Sequence, residues 1–255
     1  MSGYIGLLPL HAAGNNTYNA MDYVISSYTP TFQALDFSLQ RADSVPYHRD
    51  PKVLMIAAPK KEDRKILETT AELDSIKEGL GNNTGFTVLH EPPCQIVLEE
   101  LPKHDLIHFS CHGQSNPTDP SASAPEIASP SEGQEPSLLT VRDLASLNHD
   151  RARITYLSAC STAENSSSEL LDETIHIASA FQLAGFPHVI GTIWEVRDNA
   201  AMEVRRQFYE IVGQQLNSHG HLGDVAFALH EAVQARRRKK PKDFLSRTPF
   251  IYLGA

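Results

Sequence analysis

His112 and Cys160 are the residues best suited to do chemistry, because each closes an apolar, β-branched run and they lie 48 positions apart with the histidine first. The first run reads Asp105-Leu106-Ile107-His108-Phe109-Ser110-Cys111-His112-Gly113, and the second reads Ile154-Thr155-Tyr156-Leu157-Ser158-Ala159-Cys160. A free thiol is only a few per cent thiolate at neutral pH, and a neighbouring imidazole raises its nucleophilicity. The same imidazole can protonate a leaving amine. Gly113 suits a position beside a developing oxyanion, since a residue without Cβ lets a backbone N–H come close; the Cys160 N–H is a second candidate donor.

For these groups to meet, the two runs must be neighbouring strands. Both read as short and buried, and in an open α/β sheet the carboxyl ends of the strands share one edge, where side chains converge on a crevice. Further along the chain, Lys52–Pro59, Thr87–His90, His188–Trp194 and Phe250–Leu253 also read as strands. Helical patterns fill Lys65–Leu80, Gln95–Leu101, Glu173–Ala184, Asn199–Gln215 and Leu222–Arg236. Strands alternating with helices predict a mostly parallel sheet of about six strands covered on both faces. In Asn199–Gln215, Val204, Phe208, Ile211 and Val212 share an apolar face, while Glu203, Arg205, Arg206 and Glu210 mostly occupy the other. Ile177, Phe181 and Ala184 form the stripe of Glu173–Ala184, and Gly185 supplies its stop. The amino end of that helix is expected at the active edge, where its dipole favours a thiolate.

Duller explanations apply to the same residues. Cysteine is among the most buried residue types, so Cys160 taken alone reads as packing. Trp194 reads as a core anchor rather than a substrate contact. His104, His108 and His112 recur at a spacing that would align them on a helix and allow zinc binding with Cys111. Ile107–Ser110 reads as strand instead, which spreads them along the chain.

Taken together, the motifs identify a family. His-Phe-Ser-Cys-His-Gly, Leu138-Leu139-Thr140-Val141-Arg142-Asp143-Leu144, Leu157-Ser158-Ala159-Cys160-Ser161-Thr162-Ala163, Ala180-Phe181 to Ala184-Gly185, and Gly191-Thr192-Ile193-Trp194-Glu195-Val196 resemble the CHAT domain of caspase-like cysteine peptidases, to which separases and caspases are more distantly related. The likeness runs from Gly6-Leu7-Leu8-Pro9-Leu10-His11-Ala12-Ala13-Gly14 to Phe250-Ile251-Tyr252-Leu253-Gly254, nearly the whole chain. It implies a single caspase-like domain over 1–255, a three-layer α/β sandwich, with His112 as base and Cys160 as nucleophile of a cysteine endopeptidase that needs no metal or organic cofactor. The histidine-to-cysteine interval agrees with the roughly 50 residues of caspases, and papain-like enzymes present the cysteine first. The alternative is a pseudopeptidase, a regulatory or interaction module that kept the fold without turnover.

Two departures from the family pattern stand out. Relatives carry another strand and helices ahead of Leu8-Pro9-Leu10-His11, so the chain reads as a fragment or a reduced paralogue, with Ile5-Gly6-Leu7-Leu8 as a sheet edge open to a regulatory partner chain. The approach to the last strand, Lys242-Asp243-Phe244-Leu245-Ser246-Arg247, lacks the usual tryptophan.

Composition narrows the class independently. With 255 residues, 41% of them hydrophobic, the chain can bury a substantial core. Net charge −9 and a pI near 5.7 argue against nucleic acid as a main partner. The three cysteines Cys94, Cys111 and Cys160 are too few for a disulfide framework and suit a cytoplasmic or nuclear, reducing setting. No apolar run approaches the length of a membrane span, and no secretory leader is evident. Sequons at Asn15, Asn82 and Asn165 are of a kind that arises by chance.

Three segments complete the reading. Residues 114–137, rich in Ser and Pro, read as a mobile loop between the two strands, either a tolerated insertion or, functionally, a flap over the cleft or a cleavage site for activation. Glu195 and Asp198 follow the strand ending at Trp194, so either would line a pocket for Arg or Lys of a peptide substrate, with helix capping the plainer role for Asp198. Arg236-Arg237-Arg238-Lys239-Lys240-Pro241-Lys242 resembles a nuclear-import signal, with a solvated connector as the plainer role.

Overall fold

A computed structural model describes residues 8–254 except 16–17, 58–68, 82–83, 115–123, 129–136, 146, 148–149, 159–172, 195 and 221; for 69, 112, 114, 141, 145 and 173–176 it describes the backbone. The Ile5–Leu7 edge expected above therefore lies outside the described residues.

Six strands build the main sheet: β1 (Lys52–Ala57), β2 (Gly85–His90), β3 (Leu106–Ser110), β7 (Ile154–Leu157), β8 (His188–Thr192) and β9 (Phe250–Gly254). Their order is β2-β1-β3-β7-β8-β9, parallel throughout except for β9, which runs antiparallel to β8. β1 explains why such strands are legible in sequence. Val53 and Met55 enter one core cluster while Leu54 and Ile56 enter another, so both faces of the strand are covered and nearly every position is apolar.

The helices divide accordingly. α2 (Thr69–Leu80), α6 (Asp198–His219) and α7 (Val225–Lys239) cover one face; α3 (Cys94–Glu100), α4 (Val141–Ala145) and α5 (Glu173–Leu183) cover the other. α1 (Phe32–Ser44) packs on α5 and β9. In α6, Val204, Phe208 and Val212 are fully buried at successive turns. The helix runs one turn beyond the sequence expectation and stops at Gly220, whose φ of 72° is left-handed. α5 stops at Gly185 as expected, at φ 108°. α2 and α6 meet through glycines. A Cβ on Gly213 would lie 2.1 Å from the Gly79 carbonyl oxygen, so only hydrogen there permits this approach.

A second, three-stranded antiparallel sheet lies between β3 and α4 in the chain: β4 (His112–Gln114), β5 (Ala124–Ala128) and β6 (Ser137–Leu138), in the order β4-β5-β6. Within the segment 114–137 expected as a loop, Ala124–Ala128 is a strand, which corrects the expectation there. Ala124 and Ile127 are fully buried, and the middle of that segment is a strand because β4 and β6 supply its backbone partners.

α1 also escaped the sequence reading. Its buried positions include only the small Ala34 and Ser38, too little for an apolar stripe, and its ends are fixed from elsewhere. Thr31 accepts from Ala34 N at the start, and the buried Arg153 guanidinium donates to Ala42 O at 3.2 Å and to Val45 O at the end.

Two residues at the start of the basic run are structural. Arg236 is buried and pairs with Glu203 at 2.6 Å and Asp243 at 2.7 Å, while Arg237 binds Asp22. Residues 238–242 are exposed. The segment lacking the family tryptophan packs instead through Arg247, 1% exposed, which donates to Pro241 O. Among the described residues no helix is long and apolar enough to cross a membrane.

Candidate active site

The two runs that carry His112 and Cys160 are adjacent strands. β3 pairs with β7 in the register Phe109↔Leu157, and Ser158 N donates to Phe109 O at 2.8 Å as a further rung. His112 follows Phe109 by as many residues as Cys160 follows Leu157. Neighbouring strands lie about 4.8 Å apart, so the described parts of the two runs, Phe109 and Ser158 among them, end side by side at the carboxyl edge. Cys160 itself lies outside the described residues, as does Glu195, and for His112 the backbone is described.

His112 does not end β3. The chain bends at Cys111, whose side chain is fully buried, and His112 opens β4. There it stands opposite Glu126, Gly113 opposite Pro125 and Gln114 opposite Ala124. Pro125 O accepts from Leu139 N on the far side. Gly113 and Pro125 thus form the non-hydrogen-bonded kind of antiparallel pair, which needs no N–H from proline and turns the Gly113 peptide group to the open edge of β4. Glu126, opposite His112 in the register, is 4% exposed.

Asp198 opens α6 just beyond the carboxyl end of β8 and is exposed. It is not the helix cap; Arg197 holds that position without a side-chain bond to the helix. Trp194 is half-buried, packs against the core on the α5 face and donates to Leu245 O at 3.0 Å, as an anchor does.

Beneath this edge, in the α2/α6 layer, is a polar cluster that sequence reasoning missed. Strand alternation points His108 and Ser110 of β3, and Ser158 beyond β7, toward those helices. Glu72 of α2 takes three partners there: His108 Nε2 at 2.8 Å, Arg205 Nη1 at 2.7 Å and Ser110 Oγ at 2.5 Å. Arg205 Nη1 also lies 3.3 Å from Ser158 Oγ, and His108 Nδ1 lies 2.8 Å from Tyr209 Oη. Arg205, assigned above to the polar face of its helix, is 6% exposed and faces the sheet.

Charge states follow from the surroundings. Burial by itself would raise the Glu72 pKa, but His108, Arg205 and Ser110 outweigh it and bring it to about 2. Burial also lowers the pKa of His108, against the pull of Glu72. The imidazole is therefore neutral at pH 7, donating from Nε2 to Glu72 and accepting at Nδ1 from the Tyr209 hydroxyl, and Arg205 carries the balancing charge. His104 is similarly engaged, by Glu100 O and Thr87 Oγ1. Among the described residues no group of three or more His, Cys, Asp and Glu side chains is arranged to hold a metal ion.

A family model described as CHAT domain matches residues 1–251, and the chain belongs to that family. Among solved structures, it is similar to separase in the separase–securin complex of Saccharomyces cerevisiae, with a TM-score of 0.62 and 16% identity, over 97% of this chain and 15% of that one. It is also similar to the Arg-specific cysteine proteinase gingipain R, with a TM-score of 0.62 and 13% identity, over 96% of this chain and 56% of the other. A complex of gingipain pro- and mature domains from Porphyromonas gingivalis matches with a TM-score of 0.61 and 12% identity, over 95% and 57% of the two chains. No curated protein matches. At such identities the likeness is one of fold, and the fold is that of caspase-like cysteine peptidases: mixed α/β, with a mostly parallel six-stranded sheet.

Proposed function

We propose that this chain is a cysteine endopeptidase working through a His112/Cys160 dyad. The observation that supports the reading is the β3–β7 register, in which the runs preceding His112 and Cys160 are paired, each residue following a paired rung by the same number of positions in the sequence. His112 takes the Cys160 proton, and the thiolate attacks the scissile carbonyl carbon. The oxyanion is met by the Gly113 and Cys160 N–H groups, the first supported by a peptide group turned to an open strand edge. As the intermediate collapses, the C–N bond breaks and His112 protonates the departing amine. Water, deprotonated by His112, then hydrolyses the thioester. No metal or organic cofactor takes part in these steps.

Asp198, exposed at the start of α6, and Glu195 before it are proposed to set a preference for Arg or Lys beside the scissile bond. Separase stands in complex with securin and gingipain with its prodomain, and a regulatory protein partner is proposed here by analogy. A reducing, cytoplasmic or nuclear setting fits a chain with only three cysteines.

The test is mass-spectrometric cleavage profiling of a diverse peptide library with the wild type, Cys160→Ala and His112→Ala. Cuts after basic residues that vanish in both variants are the expected result. Cutting that survives in Cys160→Ala would overturn the dyad, and wild-type cutting no greater than in the variants would favour the interaction module.

A further inference from the structure

Glu72 and Arg205 form a buried ion pair whose other bonds end on the two strands that lead to His112 and Cys160. We propose that this pair is a positioning device for the dyad, an inference that rests on the dyad reading above. Ser110, bonded to Glu72 Oε2 at 2.5 Å, precedes His112 by two residues. Ser158, 3.3 Å from Arg205 Nη1, precedes Cys160 by two residues. Carboxylate and guanidinium meet at 2.7 Å, so one continuous chain of bonds runs from β3 to β7. Among the described residues the last backbone rung between those strands is Ser158 N on Phe109 O, and the side-chain bridge lies beside it.

Stability alone is a weak reason for such a bridge. An apolar pair of similar volume would commonly serve the core as well or better, because desolvating two charges offsets most of their attraction. The pair is instead aimed. His108 fixes the Glu72 carboxylate from one side and is itself held by Tyr209. The Gly79–Gly213 contact, about two turns further along both helices, sets the distance between α2 and α6. Glu72 and Arg205 are thus positioned before they meet the serines. A displacement of about 1 Å between a nucleophile and its base is enough to cost a hundredfold in rate, and the serine hydroxyls are where this layer grips the two strand ends.

The experiment measures alkylation of Cys160 by iodoacetamide in the full chain across pH, with the label quantified on the Cys160 peptide, alongside thermal unfolding. Ser158→Ala and Ser110→Ala each cut one arm and leave the ion pair intact, so no unpaired buried charge is created. Each is expected to keep a near-wild-type melting temperature, to lower the Cys160 rate at pH 7 about tenfold and to move its pH midpoint up toward that of an ordinary thiol. Ser158→Thr, which retains the hydroxyl, is expected to restore the profile. Alanine variants with the wild-type rate and midpoint would overturn the positioning role while leaving the dyad standing. A wild-type rate already indifferent to His112→Ala would overturn the dyad, and this inference with it.

Discussion

At the scale of single residues, the proposed mechanism divides labour between groups that touch substrate and groups that hold them. His112 and Cys160 belong to the first kind, and replacing His112 by Ala is expected to lower peptide cleavage at pH 7 about a hundredfold or more, measured as kcat/KM on the best library peptide. Asp198→Ala is expected to lower cleavage after Arg and Lys relative to cleavage after other residues, and an unchanged preference would remove Asp198 from the pocket. Glu72 belongs to the second kind. Its pKa is depressed in the folded chain to about 2 from the ordinary 4.5, so its stabilisation is present above pH 4.5 and is lost as pH falls toward 2, up to about 3 kcal/mol. Glu72→Gln therefore flattens that acid limb, which urea titrations between pH 5 and pH 2 would measure. His112 and Cys160 stood out in the sequence because each closes an apolar run. Glu72 and Arg205 did not, since a charged residue on an amphipathic helix looks the same whether it meets water or a buried partner. The signal that was available is His108 in an otherwise apolar strand, a buried polar group that required partners. Glu126 gave a similar hint, a lone carboxylate within Ala124-Pro125-Glu126-Ile127-Ala128.

At the scale of elements, legibility followed burial. The six main strands were readable because both of their faces are covered, which makes them continuous apolar runs. β4, β5 and β6 were not, because strands of two to five residues owe their existence to one another rather than to their own pattern. α1 was hidden for a related reason, its ends being fixed by Thr31 and by the distant Arg153. The α2/α6 contact yields a prediction at this scale. Gly213→Ala forces a methyl group against the Gly79 carbonyl and is expected to destabilise the chain by about 1–3 kcal/mol, as overpacking does. Because the clash spreads the two helices, it should also slow Cys160 alkylation. A Gly213→Ala protein with unaltered urea midpoint would show that the helices have room to shift.

For the whole molecule, the two apolar layers hold several imidazoles that must stay neutral. Burial lowers the pKa of His11 to about 4 and that of His188 to about 3, from 6.5, and lowers that of His108 as well. The unfolded chain binds protons at these sites below pH 6.5 while the folded chain does not, so stability falls as pH drops through that value. At pH 5 the loss is roughly 2 kcal/mol each for His11 and His188, a large share of the 5–15 kcal/mol that usually holds a domain together. The urea midpoint is thus expected to decline between pH 7 and pH 5, before most carboxylates titrate; a flat midpoint over that range would refute the assignment. Acid weakening arises in the core, apart from the sheet edge where the proposed proteolytic chemistry would take place.

The most direct test of the central claim is covalent. A peptidyl acyloxymethyl ketone ending in Arg offers a carbon from which a catalytic thiolate displaces carboxylate to form a thioether, and intact-mass and peptide mapping locate the bond. The account predicts one adduct on Cys160 in the wild type, slowed at least about a hundredfold in His112→Ala. Labelling that falls on Cys94 instead, or that proceeds on Cys160 at the same rate without His112, would contradict it.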